Sequence, residues 1–194
     1  VDRYDQKVLI CHVLRYTLFY SAIRKRILEG DIGDVMHIET TEHVSYHHMA
    51  AAYVRGKWAN QKVVKSTMLM AKCCHDLDLI TWMKSGVSPT SVASFGSNIQ
   101  FRPENAPAGA GSQCLVDCEV ESECMYSARK HYIDHPERWG FYVWQGLEDI
   151  EHPSLDDKIE ELKREDNPFG RCVWEKENDV VDHQVVIVEF EDGS

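Results

Sequence analysis

The sequence predicts an α+β domain, an open-faced, mostly antiparallel sheet with helices on one face. Three observations point there. Segments of helical period, such as residues 17–30, occur beside β-branched or alternating segments, such as 35–44, 88–97 and 182–192. Their order is mixed along the chain. The closing stretch "DHQVVIVEFEDGS" runs into Asp192-Gly193, a hairpin signal that belongs to antiparallel pairing. With 194 residues, 43% of them hydrophobic and 10% aromatic, the chain has enough apolar side chains for a core and suggests one domain.

The elements follow in order. "KVLICHVLRY", residues 7–16, is a continuous apolar run of the kind found in buried strands. Residues 17–30 space Phe19, Ile23 and Ile27 at helical intervals and end on Gly30, which suits a left-handed C-cap. After the turn "GDIGD", residues 35–44 set Met36, Ile38 and Val44 against Glu39, Thr41 and His43, as a half-buried strand does. Residues 46–61 are polar and aromatic together and are expected to be irregular or briefly helical. Ser66 and Thr67 then offer N-cap hydroxyls to a helix closed by Gly86. Leu69, Cys73, Leu77 and Ile80 line one side of that helix, and Lys72, His75 and Asp76 are i, i+3 and i+4 neighbours. Residues 88–97 read as a strand, 102–112 as a Pro/Gly-rich loop, and "SECMYSARKHYI" as helical. "SLDDKIEELKRED" opens with a capping box, Ser154 and Asp157, and the last strand follows. The chain opens at Val1 within what reads as the middle of a fold and stops just after a hairpin signal. The expectation is therefore a domain over 1–194 truncated at both ends.

The charge balance narrows the partners. A net charge of -11, from 32 acidic against 21 basic residues, argues against nucleic acid and against an anionic membrane surface, since both need a clustered positive field. No apolar run approaches the roughly 20 residues a bilayer demands, and no signal-peptide pattern is present. Seven cysteines, an odd number with Cys73 and Cys74 adjacent, fit a reducing compartment. A cytoplasmic protein acting on small molecules or other proteins is expected.

Three groups of residues could carry chemistry. The stretch "AKCCHDLDLITW" concentrates Lys72, His75 and Asp76, which make either a working face or an ordinary solvated one. Cys114, Cys118 and Cys124, with Cys172 or His131, could hold zinc tetrahedrally or pack as small hydrophobes. Arg15 and Tyr16, His43 and His47, and Arg55, Lys57 and Trp58 combine cations with rings that can grip a polyhydroxylated or anionic ligand. The alternative for "RGKW" is a solvent loop with Trp58 folded onto the body. No G-x-G-x-x-G, P-loop, G-x-S-x-G or H-E-x-x-H pattern occurs, and "GAG" at 109–111 sits in a Pro-rich loop.

"CHVLRYTLFYSAIRKRILEGDIGDV", "YVRGKWAN", "KCCHDLDLITWM", "SVASFGSNIQFRPENAPAGA" and the closing "PFGRCVWEKENDVVDHQVVIVEFEDG" together resemble the C-terminal half of the Gfo/Idh/MocA oxidoreductases. The resemblance implies a substrate-binding and oligomerisation domain on an open-faced sheet. It also implies an N-terminal dinucleotide-binding domain, absent from this chain, that binds NAD or NADP in the intact protein. This chain alone is then expected to bind no cofactor and to be inactive. The substrate class implied is a sugar, cyclitol or related polyol, with a homo-oligomer formed through the sheet face. Residue by residue, the family's helix histidine falls on His75, which takes or relays the substrate's hydroxyl proton. Many relatives carry an aspartate four residues earlier, where this chain has Ala71, so either Lys72 or Asp76 is expected to fill that role. Arg15, Tyr16, Arg55 and Trp58 match substrate-approaching segments, and His183 is a further pocket candidate. The Ala71 departure also keeps a second expectation open, a non-catalytic module that binds a ligand or protein, stabilised by zinc at the cysteines.

Overall fold

Thr17 starts the first helix, α1 (Leu18–Leu28), by accepting the Tyr20 amide at 3.4 Å, and Gly30 follows its end at φ +78°. Gly30 is the stop expected from the sequence, and Thr17 is a cap that expectation did not name. The computed structural model to which they belong describes residues 7–138, 140–175 and 178–194. The chain divides into two compact units: Val1–Glu42, Leu69–Ser94 and Val186–Ser194 in the first, His43–Met68 and Phe95–Val185 in the second.

In the first unit α1 is held to the helix α5 (Cys74–Met83) by cations on an indole. Arg24 donates to the Trp82 carbonyl at 3.2 Å and to Ser85 Oγ at 2.8 Å, and its guanidinium lies 4.9 Å from the Trp82 ring. Arg15 approaches the same ring at 5.6 Å. Such contacts supply both charge–quadrupole attraction and stem packing. Just past α5, buried Lys84 donates to the Val35 carbonyl at 3.0 Å and to Asp192 Oδ2 at 2.6 Å, so one ammonium ties two distant segments.

Two expected strands of this unit are not strands. Residues 7–12 form no strand, Ile10 is 93% exposed, and Val13–Tyr16 forms a 3-10 turn. Residues 35–44 join no ladder either. An apolar or alternating run becomes a strand only when a neighbour accepts its amides, and among the described residues none does. The helix expected to run up to Gly86 is also broken. α4 (Met68–Ala71) ends before Lys72, Cys73 turns out of the helix at ψ 4°, and α5 starts at Cys74. Leu79, rather than Leu77 or Ile80 of the expected row, is the buried residue of α5.

The fold is α+β, with a small open sheet. β1 (Pro89–Ser97) and β2 (His183–Phe190) pair antiparallel. The Glu191 amide reaches the Ser88 carbonyl at one end, and the Asp182 amide reaches Ser97 at the other. That register sets Val92 opposite Ile187. Both are more than half exposed.

The second unit has the larger core. The segment expected to be irregular is instead its centre: α2 (Tyr46–His48) continues as a π-helix, Met49–Val54, whose six residues are all buried. Small alanines at 50–52 let the backbone approach closely, and Ala51 packs with Cys114, Ala128, Tyr132, Val143 and Leu162. Of the predicted helix at residues 122–133, only the end is helical, continuing as the π-helical turn Lys130–Asp134. After α3 (Gln61–Val64), capped by Asn60, the remaining long helix is α6 (Leu155–Lys163), and it begins with the predicted capping box. Gly170 passes so close to α6 that a Cβ there would overlap the Leu162 carbonyl.

Candidate functional site

The densest set of acid–base groups lies in the first unit, on α5, the joint before it and the turn after residue 12. Asp78, whose side chain is 9% exposed, takes both nitrogens of a bidentate Arg15 fork at 2.7 and 2.6 Å. Those hydrogen bonds hold its carboxyl below the ordinary carboxylate range, against the upward push of burial. His12 Nε2 stands 3.9 Å from the same carboxylate, and the His12 and His75 rings meet edge to face at 5.8 Å. His75 Nδ1 is buried and has no hydrogen-bond partner. The break before α5 puts Lys72 at the joint, where its ammonium pairs with Glu42 at 3.0 Å. Asp76 is pushed up by burial and by the nearby Glu42 charge. Tyr16 is exposed at the end of its 3-10 turn.

This arrangement can bind and orient an anion or hydroxyl and move a proton. Arg15 is oriented by Asp78, His75 offers an unclaimed nitrogen, and Asp76 is a carboxyl that protonates more readily than usual. Of the residues predicted from sequence, Arg15, Tyr16, Lys72, His75 and Asp76 all belong to this unit. His12, Glu42 and Cys74 were not foreseen as site residues. His12 and Cys74 stand in the quoted segments, but the approach of His12 to residues more than 60 positions later has no local signal.

Arg55, Trp58, His183 and the four cysteines belong to the second unit. Arg55 is buried, and its guanidinium donates to the Arg171 carbonyl at 2.7 Å, the Tyr126 carbonyl at 2.8 Å and Cys114 Sγ at 3.3 Å. It braces three separate stretches of chain. Trp58 is half-buried with the Lys57 ammonium 4.8 Å from its ring. His183 meets Asp182 Oδ1 at 2.8 Å and Ser97 Oγ at 3.3 Å. Burial pushes the Asp182 carboxyl up, but His183 and the Gln100 and Ile99 amides outweigh it and hold it below the usual range. Cys114, Cys118, Cys124 and Cys172 line one cavity together with Arg55 and Trp174. All four are free thiols, and burial pushes Cys124 and Cys172 up. No three of their sulfurs lie within 4.8 Å of one another.

A dinucleotide does not fit the glycine-rich loop. A Cβ at Gly109 would meet the Glu119 side chain at 3.2 Å, and Gly111 is packed against Asp117, so carboxylates occupy the space where a pyrophosphate would need amides. Among the described residues no helix is long and apolar enough to cross a membrane.

Residues 20–138 match the GFO/IDH/MocA C-terminal domain, and the chain belongs to that family. It is also 27% identical over 131 residues to a protein of Bacillus subtilis (strain 168) named "Putative oxidoreductase YteT", an alignment covering 66% of this chain and 30% of that relative. The chain thus spans about 30% of the length of the curated relative it matches. No solved structure gives a significant match.

Proposed function

We propose that this chain is the substrate-binding part of a NAD(P)-dependent oxidoreductase acting on a sugar, cyclitol or related polyol. The observation that carries the reading is His75: a buried, unpartnered ring nitrogen set beside the Arg15–Asp78 pair. Alcohol oxidation releases a proton and a hydride separately, and an imidazole, which titrates near neutrality, suits the proton. His75 takes that proton, while Arg15 and Tyr16 hold neighbouring hydroxyls. Asp76 and the Lys72–Glu42 pair flank the proton's path. Family membership and the relative's printed name support the oxidoreductase class, and the polyol is what the family resemblance implies. The cofactor is assigned to no residue of this chain, because the glycine loop does not fit it. A second copy of the chain is proposed to cover the open sheet.

The test uses the intact protein. NADH and NADPH are titrated by fluorescence, and oxidation is screened over a panel of sugars and cyclitols. The expected result is binding of one nucleotide and turnover of at least one polyol. His75→Ala is expected to lower kcat by about 10²- to 10⁴-fold with a smaller change in KM. No nucleotide binding, or a His75→Ala variant of undiminished kcat, overturns the reading and leaves a binding module without turnover.

A further inference from the structure

His12, Cys74 and His75 in the first unit each offer a ligating atom, and the three atoms lie within 4.8 Å of one another. Among the described residues no other group of three His, Cys, Asp or Glu side chains does this. We infer that the trio binds a divalent cation of the zinc class, with one coordination position left open.

The donor set favours that class. Two imidazoles and a thiolate are borderline-soft ligands, which suit zinc and disfavour magnesium or calcium. Zinc–nitrogen bonds of about 2.0–2.1 Å and zinc–sulfur bonds of about 2.3 Å place tetrahedral ligands about 3.3–3.6 Å apart. The three donors therefore need to close by at most about 1.5 Å, within reach of side-chain rotation. One further observation points to a ligand. His75 Nδ1 is buried with no partner in the chain, which is costly for a polar atom unless something occupies it. Asp78 is fixed by the Arg15 fork. At 3.9 Å from Nε2, its carboxylate stands next to the His12 ring without a hydrogen bond to it. Cys74 and His75 are adjacent at the start of α5, and His12 approaches from the turn before α1. The metal would therefore cross-link two parts of this unit.

An occupied site has a consequence for the proton transfer proposed above, and this consequence alone rests on that reading. A cation on the His75 ring withdraws its lone pair, so zinc inhibits any oxidation that uses His75 as the base.

Zinc binding by the chain itself is measured by competition with a chromogenic chelator, beside His12→Ala, Cys74→Ser and Cys114→Ser variants whose folding is checked by circular dichroism. The expected result is one tight equivalent. His12→Ala and Cys74→Ser each weaken it by more than about 100-fold, beyond what losing only an orienting partner costs, and Cys114→Ser leaves it unchanged. Cobalt in place of zinc gives a thiolate charge-transfer band that Cys74→Ser abolishes. Absence of a tight equivalent, or one lost in Cys114→Ser and kept in Cys74→Ser, overturns the proposal. Neither result depends on turnover, so failure here leaves the oxidoreductase reading standing. Tight zinc without inhibition of the intact enzyme contradicts the role given to His75 instead.

Discussion

His131 and His75 both carry a buried Nδ1 without a hydrogen-bond partner, yet their surroundings assign them different work. His131 lies in the second unit at 1% exposure, with Nε2 2.8 Å from the Met125 carbonyl. A carbonyl only accepts, so Nε2 carries a proton. Burial and the Arg55 charge push its pKa down to about 4. The unfolded chain, titrating at the ordinary value of about 6.5, then binds more protons than the folded one below that pH. Stability is full above about 6.5, falls as pH drops towards about 4 and levels off below it. The loss attributable to this residue is about 3 kcal/mol. Urea titrations between pH 7 and 4 are expected to show this slope in the native chain and a flatter one in His131→Asn. Equal slopes would mean that the ring is not held neutral.

At the scale of elements, local signals decided some parts and failed at others. α6 rests on a capping box that is readable in four residues: Ser154 Oγ accepts the Asp157 amide, and Asp157 accepts the Ser154 amide. Ser154→Ala is expected to cost about 1 kcal/mol, measured by chemical denaturation. Leu162, on the buried side of the same helix, is fully enclosed in the core cluster, and Leu162→Ala is expected to cost about 2–5 kcal/mol. A Ser154 effect as large as that of Leu162 would show that the helix is held by its cap more than by its packed face. α1, β1 and β2 were equally legible from caps, spacing and β-branched runs. Residues 7–16 and 35–44 were not, because a strand is a relation between two segments and their pattern names no partner. The break at Lys72 and Cys73 was invisible for a related reason: nothing local distinguishes a continuous amphipathic helix from two short ones in which Lys72 turns towards Glu42.

For the whole molecule, the exposed cross-strand pair Val92 and Ile187 carries the proposed self-association. Apolar side chains directly opposite each other on an open two-stranded sheet leave a face and two edges that another copy can cover. Light scattering of the eluted chain is expected to give more than one copy per particle, and Val92→Lys with Ile187→Lys to reduce it to one. A native chain that is already monomeric at high concentration would count against this. By itself the sequence determined the α+β class, the Gly30 stop of α1, the capping box of α6, the two strands and the types of residue a site would need, since these are set by neighbours within a few positions. Only the tertiary structure decided which of those residues meet. It sets Arg15 on Asp78 and His12 beside His75 across some 63 positions, and it encloses Arg55 among backbone carbonyls. Contacts of that range depend on how whole segments pack, and packing leaves no period in the sequence for a reader to follow.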